Sequence, residues 1–579
     1  MSSASHHDDQ TLTMVEEEPK SEAPVVPARS QTQTQTQTQV ESDTILTGSK
    51  LVIVFASLMS CVLLIALDQT IVATALPTIA SDFHSFALQG WISSAFILAQ
   101  STFLLFWGQI LRVVPAKYIL LVAVTIFEVG SLVCGVAPNV NALIAGRAVS
   151  GLGAGGMLTS MIQVIAQVTR LEDRPRLMGI FGSVFALATV VGPLIGGAFT
   201  DHATWRWCFY LNLPCGGVAL TVVTFLLKPS PPLGTESDPS QHTWTHIRSR
   251  LLRLDYLGAI LVAGSVTTLI LALQWGGNTK PWNSPAVIVC FVLFPVLAAA
   301  AIWWEVRLDE RAMVPTMIFK NYSTYAIVFY AFIARFSLLI FSYYIPIFYQ
   351  AARHHSAVQS GVDLLPFMLG TVLTLIIVGQ LSGRTGYYQP WLVISPFFLA
   401  VGTGLLYSIT PSTPSSRLVG YQILAGIGTG MGMQNALIAM QVEFRNERKL
   451  IAQASSMVSF GQFLGGTVGL GIAEPVFASE LSKYVAQFAP DLGANAAIVK
   501  ESPTAIWEQL PADQIPGVVK SYTDALRVVF VLDVAGVPVA GLGLIASAFI
   551  KNVRIEKTAN GPPKVRGEGE DAEKGSDNA

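Results

Sequence analysis

Only 12% of the 579 residues carry a charge, about half the share of a typical soluble chain. So little charge excludes a water-exposed globular surface over most of the length. The balance is also even, with a net charge of −2. Without a basic surplus there is nothing to hold a phosphate backbone, and nucleic acid is not expected as a partner. Cysteine is rare as well. The five present, Cys61, Cys134, Cys208, Cys215 and Cys290, fall inside or at the ends of apolar runs, with no CxxC pair for a metal and no framework for disulfides. They read as small packing residues. A nucleotide-binding loop, a metal-ligand cluster and a Ser/His/Asp arrangement are all missing, as is any separate polar domain to house them. No enzyme activity is expected, and no metal or cofactor.

Apolar sequence takes the space that charge leaves. Hydrophobic residues make up 52% of the chain, and runs of about 20 of them, enough to cross a bilayer as a helix, begin about 50 residues in. Fourteen such runs are readable, at roughly 51–76, 88–111, 118–138, 142–168, 177–199, 206–227, 256–275, 286–304, 325–349, 361–382, 391–410, 418–441, 456–474 and 526–550. The expected fold is an all-α polytopic membrane protein. The first run lies too far from the start to read as a cleaved signal peptide.

Basic residues in the short loops orient the spans. After even-numbered spans stand Arg112, Lys117, Arg170, Arg174, Arg176, Lys228, Arg248, Arg250, Arg253, Arg307, Arg311, Lys320, Arg384, Arg445, Arg448 and Lys449; after odd-numbered ones stand only Arg206, Lys280, Arg353 and Arg417. Both termini are therefore expected in the cytosol of a cell membrane, with a vacuolar or vesicular membrane left open. Residues 1–48, with His6 and His7, the acidic Glu16 to Glu18 and an alternating Thr/Gln tract, have almost nothing to bury and read as a disordered tail. The tail 552–579 reads the same way. The segment 475–525 is expected as a long loop on the opposite side.

An internal repeat is visible without any second sequence. Gly108-Gln109 closes span 2 and Gly379-Gln380 closes span 10, 271 positions later; span 4 carries Gly151, Gly153 and Gly155, and span 12 carries Gly426, Gly428 and Gly430, 275 positions later. This predicts two pseudo-repeated six-helix bundles, residues 49–228 and 307–551, with a linker over 229–254 and two inserted spans over 255–306. Duplicated halves of this kind rock about a midplane site in alternating-access transporters. Span 5 holds a further feature: Gly179, Gly192, Pro193, Gly196 and Gly197. Small residues let helices approach and the proline interrupts the carbonyl ladder, so this span reads as a gate.

Charge at membrane depth is costly and marks function. Asp68 in span 1, Glu128 in span 3, Arg147 at the start of span 4, Arg335 in span 9 and Asp533 in span 14 are the candidates. Asp68, Arg147 and Glu128 are the expected proton-coupling residues, since burial and a neighbouring guanidinium tune a carboxylate in opposite directions. Permanent structural ion pairs are the other reading.

Four motifs then carry a resemblance: Asp68-Gln-Thr-Ile-Val-Ala-Thr-Ala-Leu-Pro77, the Gly146-Arg147…Gly151-x-Gly153 element, the Gly192-Pro193…Gly196-Gly197 ladder, and Trp205-Arg-Trp-Cys-Phe-Tyr-Leu-Asn-Leu-Pro214. In this order, over about 50–550, the chain resembles the fourteen-span drug:proton antiporter branch of the major facilitator superfamily, and within it fungal toxin-efflux pumps. The resemblance implies that the span-5 ladder is the antiporter signature, that the span-1 acid and span-4 arginine couple protons, and that cargo sits between the halves. The family's loop motif after span 2, Gly-x-Leu-x-Asp-Arg-x-Gly-Arg-Lys, is only partly kept: Arg112 stands at its acidic position and Pro115 at its second glycine, and Ala188 replaces one ladder glycine. The usual charge relay of the inward gate is thereby put in doubt.

Polar residues within the spans complete the expectations. Gln100, Gln163, Asn212, Gln434 and Asn435 are substrate-cavity candidates, with interhelical hydrogen bonding as the alternative. The expected function is proton-coupled efflux of a small amphipathic molecule, a secondary metabolite, toxin or drug, by a monomer in a lipid bilayer. A same-fold carrier of a siderophore, amino acid or sugar, or a membrane sensor, are the alternatives.

Overall fold

Apolar runs inside a bilayer have no water to satisfy their backbone and so close their hydrogen bonds within each segment, as helices. The computed structural model describes residues 45–83, 89–233, 244–277, 280–495, 499, 505–534 and 537–555, and among these no strand is formed beyond an isolated bridge between Gly276 and Lys280. The principal helices are α1 (Gly48–Asp82), α2 (Gln89–Ile110), α3 (Ala116–Gly135), α4 (Val140–Val168), α5 (Arg174–His202), α6 (Asn212–Leu226), α7 (Tyr256–Trp275), α8 (Pro285–Leu308), α9 (Tyr322–Arg353), α10 (Leu365–Thr385), α11 (Gln389–Tyr407), α12 (Ser415–Met433), α13 (Ile451–Phe488), α14 (Ile515–Val534) and α15 (Val537–Phe549). Their ends are set locally. Asn139 accepts the Ala142 amide at the start of α4, Asp255 accepts the Gly258 amide at the start of α7, and prolines open α5, α8 and α10. Gly386, at φ +77°, closes α10 in the left-handed region.

Thirteen helices among the described residues are long and apolar enough to cross a membrane, and they fall on the first thirteen expected spans. The fourteenth span was expected at 526–550, where α14 and α15 stand on either side of residues 535–536, which lie outside the described residues. Asp533 keeps its place in α14, but its side chain is also outside the described residues. The segment 475–525 contains more helix than a loop: α13 runs on through Pro475 to Phe488, and α14 begins at Ile515. Between them Trp507 donates its indole N–H to the Gln350 and Ala351 carbonyls, 3.2 Å each, which seats this segment on the end of α9.

The repeated glycines do the same job twice. A methyl group at Gly151 would strike the Phe96 carbonyl of α2, one at Gly155 would lie 3.0 Å from the Gln100 carbonyl one turn on, and one at Gly153 would press on α3 at Phe127. In the second half, Gly426 and Gly430 meet Phe367 and Thr371 of α10 in the same one-turn spacing, and Gly428 meets α11 at Leu399. Without side chains at these positions, α4 and α12 sit directly against the backbones beside them. Gly108 and Gly379 are used between the halves: Gly108 faces Ala452 and Ser456 of α13, and Gly379 faces Pro175 and Gly179 of α5. The two seams are related by the repeat and lie where the basic loops emerge, here called the basic face.

The inserted pair divides the labour. α7 packs against both α2 and α13, and Trp304 of α8 donates to Asp255 at the head of α7, 2.8 Å. α8 turns Ile288, Val289, Val292, Val296 and Ile302 outward, the composition of a lipid-facing surface.

Candidate functional site

Asp68 sits in the middle of α1 with no exposed surface, and Arg147 enters from α4 at 1% exposure. Their pairing follows from the close packing just described, because the arginine lies one turn before Gly151, where α4 touches α2. Arg147 Nη1 donates to Asp68 Oδ2, and Nη2 lies 3.4 Å from the Asp68 backbone carbonyl. Nε donates to the Ile92 carbonyl of α2 at 3.0 Å. The guanidinium also lies over the Phe96 ring, 4.4 Å to its centroid, with Phe209 at 5.9 Å. A fork of planar donors flanked by rings is a use of arginine that lysine cannot reproduce.

The other carboxylate oxygen is held from the opposite side. Asn212, the first residue of α6, donates through Nδ2 to Asp68 Oδ1 at 3.1 Å and reaches Ser131 Oγ of α3 at 3.0 Å. Asn212, a substrate-cavity candidate by sequence, is here bonded to the charged pair. Ser131, Phe96, Phe209 and the Ile92 carbonyl carried no sequence signal, being a hydroxyl, two rings and a backbone group in runs full of all three. Asp68 thus has partners on two helices, α4 and α6, and both of its oxygens are occupied.

Glu128 lies one turn before Ser131 on α3, and Gly216 one turn after Asn212 on α6. A methyl group at Gly216 would collide with the Glu128 carboxyl group. Both Glu128 oxygens are buried without a hydrogen-bond partner. An ionised carboxylate with neither oxygen hydrogen-bonded is strongly unfavourable in such a position.

The span-5 ladder is distributed between two seams. Gly179 faces the Leu375 carbonyl of α10, 2.6 Å from an added methyl, and Gly379 lies beyond it. Gly192 faces Thr70 of α1, two residues after Asp68, and the Thr70 hydroxyl also lies 3.2 Å from the Ala188 carbonyl. At the ladder position where alanine replaces glycine, the Ala188 carbonyl meets α1. Pro193 lies inside the continuous helix next to this contact. Gly196 is buried, whereas a methyl at Gly197 would meet nothing within 4 Å; Gly197 takes no part in either seam.

Of the remaining cavity candidates, Gln100 accepts from Gln69 Nε2 at 2.9 Å and leaves its own amide N–H without a partner, and the Gln163 amide oxygen is likewise unpartnered. Gln434 lies against Gly182 of α5, 2.9 Å from an added methyl, at the border of the two halves. Asn435 is tied down, donating to the Met431 carbonyl at 2.7 Å with Ser382 near its oxygen.

The unusual loop after α2 has a structural counterpart. Asp309, at φ +48°, turns the chain out of α8 into a short strap. Gln109 donates to the Arg311 carbonyl at 3.0 Å and Arg112 to the Glu310 carbonyl at 3.1 Å. From the other half Gln453, at the start of α13, donates to the Met313 carbonyl at 2.8 Å, with the Ala312 carbonyl at 3.4 Å. Glu305 holds the Val314 amide at 3.0 Å. Arg112, where the family pattern has an acid, thus donates to a backbone carbonyl of a strap that both halves grip.

Of the four basic residues in the short loops of the opposite face, three are held. Arg206 donates to the Gly135 and Ala137 carbonyls at the end of α3, Arg353 to the Thr413 carbonyl, and Lys280 lies over the Trp275 ring. Carbonyls at a helix C-terminus attract such cations.

Comparison with known proteins agrees with this architecture. Residues 58–470 match the Major Facilitator Superfamily. The chain is 37% identical over 516 residues to the MFS-type efflux pump MFS1 of Arthroderma benhamiae, covering 89% of this chain and 94% of that one. It is 38% identical over 488 residues to the rubrofusarin-specific efflux pump aurT of Gibberella zeae, covering 84% and 87%. Among solved structures, the proton:xylose symporter XylE aligns over 88% of this chain and 98% of its own at a TM-score of 0.54 and 12% identity, a likeness of fold alone. With its glycine-marked repeat, its all-helical spans and a match over most of its length, the chain belongs to the Major Facilitator Superfamily.

Proposed function

We propose that this protein exports a small amphipathic molecule, of the secondary-metabolite or drug type, in exchange for protons by alternating access. The observation that carries the reading is the buried Asp68, held by Arg147 and Asn212 inside a transporter fold whose relatives are named efflux pumps. A carboxylate that changes protonation changes the strength of its pair with Arg147, and through it the fit of α1, α4 and α6. Glu128, one turn from Ser131, is the second proton carrier. The gate is the pair of seams that α5 makes, at Gly179 with α10 and at Gly192 with α1, so that motion of α1 at Thr70 is felt two residues from Asp68.

Two six-helix halves move against each other, with the inserted α7 and α8 beside them. The bias of Arg and Lys to loops after even-numbered spans supports termini in the cytosol and the basic face inward. The protein acts as a monomer in a cell membrane, and transport rather than catalysis is its task. The test is efflux from cells expressing the chain, using fluorescent amphipathic dyes of anionic, neutral and cationic types, with and without a proton uncoupler. Uncoupler-sensitive efflux of at least one dye is the expected result; dye efflux indifferent to the uncoupler contradicts the proton-coupled reading.

A further inference from the structure

The second intramembrane arginine has no acid. Arg335 lies in the middle of α9 at 6% exposure, and among the described residues no carboxylate lies within ion-pair distance of it. It is held instead by rings from two other helices. Its guanidinium carbon lies 4.8 Å from the Phe185 centroid on α5 and 5.4 Å from the Phe463 centroid on α13. These helices belong to different halves of the repeat, so the charge sits where the halves meet. Gly466 presses on its stem, 3.1 Å from an added methyl to Cγ.

Contrast with Arg147 sets the problem. That side chain spends its donors on Asp68 and the Ile92 carbonyl. At Arg335 the rings engage the guanidinium, but its five N–H donors lie in the guanidinium plane, where an aromatic face cannot satisfy them. A buried charge that no carboxylate offsets is retained at a cost, and what relieves it is an acceptor of opposite charge. Two amides lie on the elements that carry the ring contacts: Gln434 rests against Gly182 of α5, one turn before Phe185, and Gln462 of α13, next to Phe463 in sequence, donates to the Met433 carbonyl at 3.0 Å. Planar donors, two flanking rings and side-chain amides together match a flat aromatic molecule with one anionic oxygen group.

We propose that Arg335 is the anion-recognition residue of the transport site, and that the cargo is a planar aromatic compound bearing a carboxylate or an ionised phenol. Its ring packs beside Phe185 and Phe463, and its anionic group takes the in-plane donors of Arg335. This rests on the transport reading above and narrows it to a substrate class. It also makes Arg335 part of the substrate site rather than of the proton path.

The test uses the purified full-length chain in lipid nanodiscs and three probes of nearly equal shape, 2-naphthoate, 2-naphthamide and 2-naphthylmethylammonium. Naphthoate is expected to bind about tenfold or more tighter than the amide, the scale of a charge-assisted bidentate pair over a neutral one, and the ammonium weakest. Arg335→Gln is expected to abolish the preference while leaving amide binding in place. Arg335→Lys keeps the charge but not the fork, and a several-fold loss of naphthoate affinity is expected, which decides the matter should Arg335→Gln not fold. Equal affinities in the unaltered chain, or an unchanged naphthoate preference in either variant, overturns the proposal. Flux of the same probes in vesicles separates the two claims: a chain that prefers naphthoate yet moves none of the probes retains the anion site and loses the transport reading.

Discussion

At the scale of residues, the site at Asp68 divides its two oxygens between a cation and an amide. Removing one partner of such a buried pair costs about 3–5 kcal/mol, so Arg147→Ala is expected to fail in stability before it fails in transport. Arg147→Lys is more informative. It keeps the charge but gives up the Ile92 bond and the stacking on Phe96, and transport is expected to fall about tenfold or more with folding preserved, as read by dye flux set against thermal unfolding of the same preparation. Asn212→Ala strips a donor from Asp68 and from Ser131 together, with an expected loss of about 1–3 kcal/mol, measured as a lowered unfolding temperature. The charged pair was legible from sequence because ions are conspicuous in an apolar run. The hydrogen bonds of Asn212 were not, because an amide near a span end fits a cavity, a cap or a hydrogen bond equally well, and its contacts are set by the packing of α6 on α1 and α3.

At the scale of elements, α5 divides its small residues among different surroundings. Its glycines serve two neighbours: Gly179 meets α10 across the halves, Gly192 meets α1 within one half, and Gly197 faces open space. Gly192→Val is therefore expected to wedge α1 from α5 beside Thr70 and to lower the ratio of dye moved to protons moved, with binding retained. Gly197→Ala is expected to change stability by no more than about 0.5 kcal/mol and to leave flux intact. A flux assay with parallel proton recording distinguishes them, and an equal loss in both variants speaks against the two-seam assignment. Helix existence was legible throughout the first thirteen spans, since length and apolarity alone set it. The continuation of α13 to Phe488 was not, because past Pro475 the sequence turns polar while the backbone simply carries on.

At the scale of the molecule, the repeat places matched seams on the basic face, Gly108 against α13 and Gly379 against α5, and the strap after α8 bridges the first of them, held by Gln109 and Arg112 on one side and Gln453 on the other. Opening that face requires the strap to leave one half. Gln109→Leu is expected to favour the opened form by about tenfold, the effect of one or two lost hydrogen bonds on a two-state balance. A cysteine at Ser456 reports it through faster alkylation by a water-soluble maleimide; unchanged alkylation contradicts the latch. The sequence marked this loop only as a departure from pattern, since the strap's partners are backbone carbonyls that no side-chain motif encodes. The driving force is sufficient for a tight cycle: one proton entering yields about 2.3 kcal/mol per 100 mV and about 1.4 kcal/mol per pH unit, together enough for a gradient of a neutral cargo on the order of 500-fold. Whether Asp68 admits that proton is the centre of the account, and Asp68→Asn in reconstituted vesicles tests it most directly, using whichever dye the chain moves best. The account predicts that the variant still exchanges dye across the membrane without a gradient but no longer accumulates it when a pH step is imposed; full pH-driven accumulation by Asp68→Asn would contradict it.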